Sequence, residues 1–489
     1  MAFRRFLWNP VVLKRESQTL KKITPVITRN CWILLVHLWV IAGCAQVPQE
    51  REPEDSEFAE TSIVVILADD LGWADISCQG SAWETPAIDQ LAREGIRFTR
   101  AYSNGPNCAP SRACLITGTD VATHGVFTVP PSTRGKAENR KLNPPKSRRV
   151  LRDEAVTLAE MLSEKGYRSG HIGKWHVGDD PRSQGFDVSI ASDRRGYPKT
   201  HLAPWNLPDL PEQEAGTELA DALTDHAVEF IEESGDEPFF LMLSHYAVHT
   251  PVQAPQKQIQ KWKEKFPEAS KRVWKYAALV ESLDRSVQRI RDVLERTGRS
   301  KNTLVLFTSD NGGLESFTDN GPLRGGKGML YEGGIRVPLI AWGAGLKGGR
   351  INSTDSVQLT DLAPTFLELA GASAPEPELL VGTSLNPVLF QQGALPERDL
   401  MWHFPAYLEG IRSIHGTWRT TPVSSMMRGD DKLLEFFEDG DLQLYDLKDP
   451  TEQIDLSAQD PNKVKDLRER LQRWRAARKM PMPSGPKDQ

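Results

Sequence analysis

Four short runs of aliphatic and aromatic residues recur along the chain without alternating polar positions. They are Ser62–Ala68, Phe239–Ser244, Thr303–Thr308 and Val337–Trp342. A run without alternation indicates a strand buried on both faces, as in a parallel sheet that is covered by helices. Between the runs, apolar residues recur at helical spacing in five segments: Pro86–Glu94, Thr157–Lys165, Ala220–Glu233, Val273–Arg296 and Thr360–Leu369. Strands that alternate with helices predict an α/β domain.

Polar residues follow three of these predicted strands. Asp69 and Asp70 come directly after the first run, His249 lies shortly after the second, and Asp310 and Asn311 come after the third. Because ligands of open α/β sheets gather beyond the carboxyl ends of the strands, we expect these side chains to lie close together. Three carboxylates and an amide favour Ca²⁺ or Mg²⁺ over zinc, and carboxylates so crowded need a cation between them. A turn followed by a helix cap is the alternative interpretation of the Asp-Asp pair.

Residues 1–44 have the features of an export signal and are set apart from the fold. Seven Lys and Arg precede an apolar run from Trp32 to Gly43, which is too short to span a bilayer. The run ends in Ile41–Cys44, which resembles a bacterial lipobox in which Cys44 is lipidated. The alternatives are an ordinary cleaved signal or a short anchor. Acidic residues 45–60 then predict a flexible tether. We therefore expect an exported, membrane-anchored lipoprotein, periplasmic or at the cell surface.

Charge and cysteine content narrow the class of protein. Removing the signal takes the formal net charge from −6 to −12, so nucleic acid is a poor candidate for a partner. The five cysteines do not form a disulfide framework. Cys31 and Cys44 belong to the signal and Cys108 to the motif described next. Cys78 and Cys114 remain, and they either pair with each other or stay as buried thiols.

The most informative motif is Cys108–Gly118, which reads Cys-Ala-Pro-Ser-Arg-Ala-Cys-Leu-Ile-Thr-Gly. It resembles the type I sulfatase signature, Cys-x-Pro-Ser-Arg followed by Leu-x-Thr-Gly, at all seven defined positions. Further matches, in the family's order, extend the resemblance over nearly the whole chain after the tether. They are Ala68–Gly72, Thr157–Glu160, Ile172–His176, His249–Pro251, Ser309–Gly312, Gly325–Gly328, Glu332–Pro338 and Leu444–Leu447.

This resemblance implies a fold. It is an alkaline-phosphatase-like α/β core, with a large mixed and mostly parallel sheet between helices, in a catalytic domain of residues 61–384. A smaller α+β domain of residues 385–489 would hold a short antiparallel sheet and a terminal helix. Four apolar residues at helical spacing support that helix within Asp460–Lys479: Val464, Leu467, Leu471 and Trp474. The family's Gly-x-Tyr/Trp-Lys strand is matched only in part, by Gly416–Arg419.

The resemblance also implies a modified residue and a metal. In the family, a formylglycine-generating enzyme oxidises the motif cysteine to an aldehyde, formylglycine (3-oxoalanine), and here that residue is Cys108. Its position near a predicted helix start favours an anion. A hydrated aldehyde has two hydroxyls on one carbon, so one can attack sulfur while the other later expels sulfate. One Ca²⁺ per chain would be held by residue 108 itself (Cys108 in its modified form) and by four further side chains: Asp69, Asp70, Asp310 and Asn311.

Matched position by position, the family also supplies roles for five further side chains. Arg112 would support the aldehyde hydrate, and Lys174 and Lys327 would contact the sulfate oxygens. His176 would be the base that expels sulfate, and His249 the acid toward the departing oxygen. Two other histidines match less firmly and are left as supporting groups: His124 and His245.

The expected activity is hydrolysis of sulfuric esters, on a sulfated carbohydrate or an aryl sulfate. Trp402–Pro405 resembles a motif near the pocket mouth of many bacterial members, although packing between domains is the alternative. Arg134–Arg149 holds seven basic residues and one acid, which either attract a polyanionic glycan or form a solvated loop. Two rival functions remain at this point. One is hydrolysis of phosphonate monoesters or phosphodiesters by the same aldehyde, and the other is glycan binding by a catalytically dead lipoprotein.

Overall fold

The fold is described from a computed structural model, over residues 61–485. The predicted signal, the tether and the lipid site at Cys44 lie outside the described residues and stay predictions. None of the helices within residues 61–485 is long and apolar enough to cross a membrane.

A nine-stranded sheet forms the centre of the fold. In chain order its strands are β1 (Ser62–Ala68), β2 (Ile96–Tyr102), β3 (Arg168–Gly173), β4 (Val188–Ile190), β5 (Phe239–Ser244), β6 (Thr303–Ser309), β7 (Arg336–Gly343), β8 (Arg350–Asn352) and β9 (Val357–Gln358). In space the order is β4-β3-β5-β1-β6-β7-β2-β8, and β9 also pairs with β2. Among these strands only β7 runs antiparallel to its neighbours. The sheet is therefore mixed and mostly parallel, as predicted.

Helices cover both faces of this sheet. In chain order the helices of the described residues are α1 (Pro86–Glu94), α2 (Cys108–Thr117), α3 (Val121–His124), α4 (Leu158–Ser163), α5 (Leu219–Glu233), α6 (Gln256–Lys265), α7 (Lys271–Arg296), α8 (Glu332–Ile335), α9 (Leu362–Leu369), α10 (Asn386–Leu389), α11 (Arg412–His415) and α12 (Pro461–Ala477). Val64 and Ile66 of β1 pack with α1, α5 and α7 on one face. Val65 and Leu67 pack with α2, α4 and α9 on the other, which explains the unbroken apolar run.

A second, four-stranded sheet lies in the C-terminal part. Its strands are all antiparallel, in the order β10 (Asp399–Phe404), β13 (Val423–Arg428), β14 (Asp431–Phe436) and β15 (Leu442–Asp446), and a separate antiparallel pair is formed by β11 (Leu408–Glu409) and β12 (Trp418–Thr420). Leu467 and Leu471 of α12 pack on this sheet. The predicted fold class is thus confirmed. The domain boundary after residue 384 stays a prediction, because all described residues belong to one compact unit.

Contacts between the two sheets distinguish the two interpretations of Trp402–Pro405, a motif at the pocket mouth or packing between domains. Trp402 is buried, its indole Nε1 donates to the carbonyl of Ser103 at 2.7 Å, and its ring meets Tyr102 edge-on. Phe404 belongs to the same core. These two aromatic residues therefore pack the C-terminal sheet against β2, which is the packing alternative.

The cysteines of the described residues are not paired with each other. Cys78, Cys108 and Cys114 are all free thiols. The Sγ of Cys114 lies 3.2 Å from Nε2 of His124, so both side chains serve a local buried contact beneath α2. The alternative of a disulfide between Cys78 and Cys114 is therefore wrong.

A buried ion cluster connects β14 to the segment that precedes β7. The Nζ of Lys432 lies 2.9 Å from a carboxylate oxygen of Glu332 and 2.9 Å from one of Glu452, and all three side chains are fully buried. The backbone N–H of Glu332 also donates to Glu452 at 2.6 Å. The Nη1 of Arg336 also lies 3.4 Å from Glu332, so two cations compensate two acids that have no access to water.

We expect Lys432→Met to destabilise the protein strongly. Removing one partner of a buried ion pair leaves the other charge uncompensated, which costs about 3–5 kcal/mol of the free energy of unfolding. Denaturant unfolding measures the loss, and Lys448→Met, at an exposed position in the turn after β15, is the matched control. Equal stability of the two variants would contradict a structural role for the buried cluster.

Candidate active site

The polar residues predicted at the sheet edge do come together. Ala68 of β1 is in register with Ser309 of β6, so the residues that follow these strands emerge side by side. Asp70 has a positive φ of 62°, and its backbone N–H donates to Oδ1 of Asp310 at 3.2 Å. All of these groups are buried.

Each carboxylate at this edge has its own cationic partner. Lys174 follows β3, Lys327 lies on the glycine-rich loop after β6, and Arg112 belongs to α2. The contacts are Lys174 Nζ to Asp69 (2.7 Å), Lys327 Nζ to Asp70 (2.6 Å) and Arg112 Nε to Asp310 (2.8 Å). Lys174 and Lys327, predicted to contact sulfate, and Arg112, predicted to support the aldehyde hydrate, therefore all reach the carboxylates of the predicted metal site.

The two adjacent carboxyls respond differently to burial. Burial raises the pKa of Asp69 to about 8, and the neighbouring carboxylates add to the rise although Lys174 opposes it. Burial acts in the same direction on Asp70, but the ammonium groups nearby, Lys327 above all and also Lys174, help to hold the pKa of Asp70 below its ordinary value. Like charges packed this closely favour a protonated neighbour or an added cation.

The donor atoms fit a hard divalent cation. Ligand atoms of Asp69, Asp70, Cys108 and His249 all lie within 4.8 Å of one another. The Oδ1 of Asn311 is buried without a hydrogen-bond partner among the described residues, while its Nδ2 donates to Asp70 at 2.9 Å. Clustered carboxylates, together with an unpartnered amide oxygen on a side chain that contacts one of them, are ligand types that suit Ca²⁺.

Cys108 is the first residue of α2, one position further into the helix than the sequence predicts. Its Sγ is buried and lies 3.3 Å from Nζ of Lys327. Burial raises the pKa of the Cys108 thiol to about 11, although Lys174 and Lys327 oppose the rise. Since the thiolate is the reactive form, an unmodified Cys108 is a poor nucleophile at neutral pH.

Two histidines lie at the edge of the same site. His176 has a positive φ of 69°, and its Nδ1 is buried without a partner among the described residues. The Nε2 of His249 lies 3.6 Å from Asp70, and its Nδ1 lies 2.8 Å from the carbonyl of Thr250. Burial lowers the pKa of His249 to about 3 and holds that of His176 well below its ordinary value. Both rings are thus neutral at neutral pH in this environment.

A cavity of about 540 Å³ opens over these groups. It is lined by predicted residues, namely Cys108, His176, His249 and Lys327, and by residues that had no predicted role at the site, namely Tyr197, Leu408, Glu409 and Arg419. Of these, Arg419 ends the partly matched motif Gly416–Arg419, and the other three lie outside the recognisable motifs. In addition, β11 and β12 reach this cavity only through folding of the C-terminal part, so no local pattern indicated them.

Only one residue of the predicted basic segment lines this cavity. Arg134 does so, whereas the side chain of Lys136 is 74% exposed and pairs with Glu138. Arg140 donates to three carbonyls of its own loop. The three basic residues at the end of the segment line a separate cleft: Lys146, Arg148 and Arg149.

The two supporting histidines and the aromatic pair stand apart from the cavity. His124 contacts Cys114, and Nε2 of His245 lies 2.8 Å from Oγ of Ser286 on α7. Neither histidine lines the cavity, and neither do Trp402 and Phe404.

The fold and the buried carboxylate–cation site define a hydrolase of the alkaline-phosphatase-like class. The sulfatase family model matches residues 61–372, and the model named N-sulphoglucosamine sulphohydrolase, C-terminal, matches residues 326–477. A sulfatase of Formosa agariphila is 30% identical over 82% of this chain and 85% of its own length. The N-acetylgalactosamine-6-sulfatase of Canis lupus familiaris is 32% identical over 78% of this chain and 74% of its own. The chain belongs to the sulfatase family and is a sulfatase.

Solved structures agree with the fold. Ps i-CgsB, whose structure was solved in complex with k-i-k-neocarrahexaose, has a TM-score of 0.71 and 29% identity, and covers 85% of this chain and 92% of that one. The phosphonate monoester hydrolase of Agrobacterium radiobacter has a TM-score of 0.62 at 19% identity, over 87% and 100% of the two chains. The second likeness shows the fold alone.

We expect Gly196→Ala to impair catalysis while leaving the fold intact. A Cβ at Gly196 would lie 2.6 Å from Nε2 of His176, so the ring has to move. Displacing a group in the site by about 1 Å can lower the rate roughly 100-fold. Turnover of an aryl sulfate and the melting temperature measure the two effects.

The control for this variant is Gly485→Ala, where an added Cβ meets no atom within 4 Å. Wild-type turnover by Gly196→Ala would contradict the close approach of residue 196 to the His176 ring.

Proposed function

We propose that this sulfatase removes sulfate from a sulfated carbohydrate, with formylglycine at position 108 and one bound Ca²⁺. The observation that carries the proposal is the position of Cys108, at the start of a helix and 3.3 Å from Lys327. Two of its neighbours within the 4.8 Å cluster are Asp69 and Asp70. A thiol with a raised pKa contributes little there, whereas an aldehyde hydrate would place a hydroxyl where a metal and two amines converge.

The metal ion and the modified residue would each supply one kind of chemistry. Ca²⁺ held by Asp69, Asp70, Asp310 and Asn311 would add positive charge for the sulfate oxygens and favour deprotonation of a hydroxyl at position 108. Formylglycine would supply that hydroxyl, together with a second one on the same carbon. The free Oδ1 of Asn311 supports the metal assignment.

The basic side chains would stabilise the charge on the sulfate group. Lys174 and Lys327 sit beside residue 108 and already neutralise carboxylates, so a metal that takes over those carboxylates would release their N–H donors for sulfate. Arg112 is fixed by Asp310 and by the carbonyl of Lys174 at 2.6 Å. Its Nη2 lies 3.9 Å from Asp69 and has no hydrogen-bond partner within the described residues, so it keeps a donor for the hydrate or the sulfate.

The histidines would move protons. His176 presents an unpartnered, neutral Nδ1 in the site, which suits a base that accepts a proton from residue 108. His249 lines the cavity through which the leaving group departs. A bound sulfate ester adds negative charge beside His249 and raises its pKa, which is the direction that a proton donor needs.

A sulfated carbohydrate is the substrate class that the surroundings favour. The cavity over residue 108 is lined by basic and aromatic side chains, which suit an anionic sugar. Two relatives support the same class by their names, an N-acetylgalactosamine-6-sulfatase and a structure that holds a neocarrahexaose. Phosphonate or phosphodiester hydrolysis and glycan binding by a dead site are the rival functions. Relative turnover of an aryl sulfate and an aryl phosphodiester separates the first of these from sulfate hydrolysis.

We expect the mature protein to carry formylglycine at position 108. In mass spectrometry the peptide with Cys108 should have lost one sulfur and two hydrogens and gained one oxygen. Cys108→Ala should abolish turnover of every sulfate ester, because it removes the nucleophile, whereas Cys78→Ala, at another free thiol, should keep it. An unmodified Cys108 in an active preparation would contradict the mechanism. The same spectra test the proposed lipid at Cys44, which should appear on the N-terminal peptide after export.

We also expect removal of Ca²⁺ to lower both turnover and the melting temperature. A cation that binds only the folded protein, at about 100 times its Kd, adds about 2.7 kcal/mol to the free energy of unfolding. The readout is the melting temperature before chelation, after it, and after Ca²⁺ is restored. Asn311→Ala should show a smaller response, because it lacks the free amide oxygen. A melting temperature that is indifferent to exhaustive chelation would exclude the metal site.

A further inference from the structure

Two arginines line the cavity over residue 108: Arg134 begins the basic segment Arg134–Arg149, and Arg419 ends the partly matched motif Gly416–Arg419. Arg134 lies on the loop that follows α3, and Arg419 lies on β12. They come from parts of the chain that are far apart in sequence, yet both line the same cavity. Like charges that converge on one cavity need an explanation.

Specific contacts hold the two segments together. The backbone N–H of Tyr407 donates to the carbonyl of Ser132 at 3.1 Å, and the N–H of Leu142 donates to the hydroxyl of Tyr407 at 3.1 Å. Gly135 has a φ of 72°, and a Cβ there would lie 2.5 Å from the ring of Trp418. The loop is therefore seated directly on the strand that carries Arg419, and the approach of the two arginines is built into the fold.

Most N–H groups of these two guanidinium groups donate no hydrogen bond within the described residues. Among residues 61–485 each donates only one hydrogen bond, from Arg134 to the carbonyl of Val129 and from Arg419 to the carbonyl of Lys327, both at 3.2 Å. The Nε of each is buried and has no partner in that part of the chain. Neither forms an ion pair with any carboxylate there, although Glu409 lines the same cavity. Burial lowers the pKa of Arg419, although the charges of Glu315 and Asp70 oppose the change.

The position of Arg419 relates this pair to the reaction. Its Nη1 holds the backbone carbonyl of Lys327, whose ammonium group lies beside Asp70 and Cys108. An anion on the two guanidinium groups would thus lie next to the sulfate that is cleaved but be separate from it. Arginine forks suit carboxylate and sulfate groups, which accept two parallel hydrogen bonds.

We propose that Arg134 and Arg419 form a second anion subsite, so that the preferred substrate carries another sulfate or a carboxylate beside the sulfate that is removed. This inference rests on the proposed function, because it takes the first sulfate to bind at residue 108. It deepens that function by naming the substrate class, a sugar with at least two anionic groups.

The test measures binding, by calorimetry with Ca²⁺ present, to the full chain carrying Cys108→Ala, which cannot turn the probes over. The three probes are N-acetylgalactosamine with one sulfate, the same sugar with two sulfates, and the monosulfated sugar joined to a uronic acid. We expect at least one dianionic probe to bind about tenfold more tightly than the monosulfated one, as a charge-assisted hydrogen-bonding pair provides. The two dianionic probes show whether the second group is a sulfate or a carboxylate.

Substitutions assign that preference to the arginines. With both Arg134→Gln and Arg419→Gln the ratio of affinities should fall to within about twofold, and Arg419→Lys should give an intermediate ratio because an ammonium group keeps the charge but loses the fork. Lys136→Gln removes a positive charge from the same loop outside the cavity and should keep the parent ratio. Melting temperatures identify any variant that fails to fold. If the double variant does not fold, the ratio of affinities is measured on each single variant instead.

Equal affinity of the parent for all three probes would overturn the subsite, and so would a double variant that keeps the preference. The outcome is independent of turnover. If matured wild-type protein hydrolyses no sulfate ester while the affinity ratio holds, the proposed function fails and the anion subsite stands. If it hydrolyses sulfate esters without any preference in binding, the subsite fails alone.

Discussion

Bringing the carboxylates of Asp69, Asp70 and Asp310 into one buried volume is unfavourable unless positive charge comes with them. The fold supplies that charge from three different elements: α2, the end of β3 and the glycine-rich loop after β6. The surrounding structure therefore has to hold these elements at fixed separations. The central position of β1 between β5 and β6, with every residue buried, provides the rigid base for this arrangement.

The same constraint explains why this site could be predicted from the sequence. Parallel strands end at one edge of the sheet, so acidic residues placed directly after two strands had to meet. The apolar runs that mark β1, β5 and β6 are unambiguous because both faces are buried. The pattern does not predict the direction of a strand, because β7 is buried in the same way but runs antiparallel to β6 and β2. Burial on two faces identifies a strand without determining which way it runs.

Other elements gave no local signal. In β2, the half-buried Arg97 and Arg100 break the apolar run. Their guanidinium groups donate hydrogen bonds to the carbonyl of Cys78 and to the hydroxyl of Ser356. In β3, glycine and histidine replace the aliphatic residues, and His171 is accommodated by Ser192. Among the residues that line the cavity, Tyr197 lies in an irregular segment and Arg419 on the three-residue strand β12. Their roles depend on which distant segments pack together, so the sequence pattern could not reveal them.

The basic residues around the cavity therefore form two groups, which are held in place by different parts of the fold. Lys174 and Lys327 are positioned by carboxylates at the sheet edge, and any sulfate ester would meet them in the same way. Arg134 and Arg419 are positioned instead by the packing of one loop on β12. Each guanidinium donates only one hydrogen bond within the described residues. Chemistry that is common to the family can thus reside in the rigid sheet. Recognition of a particular sugar can then reside in the C-terminal part and the loop, where substitutions leave the buried charge balance undisturbed.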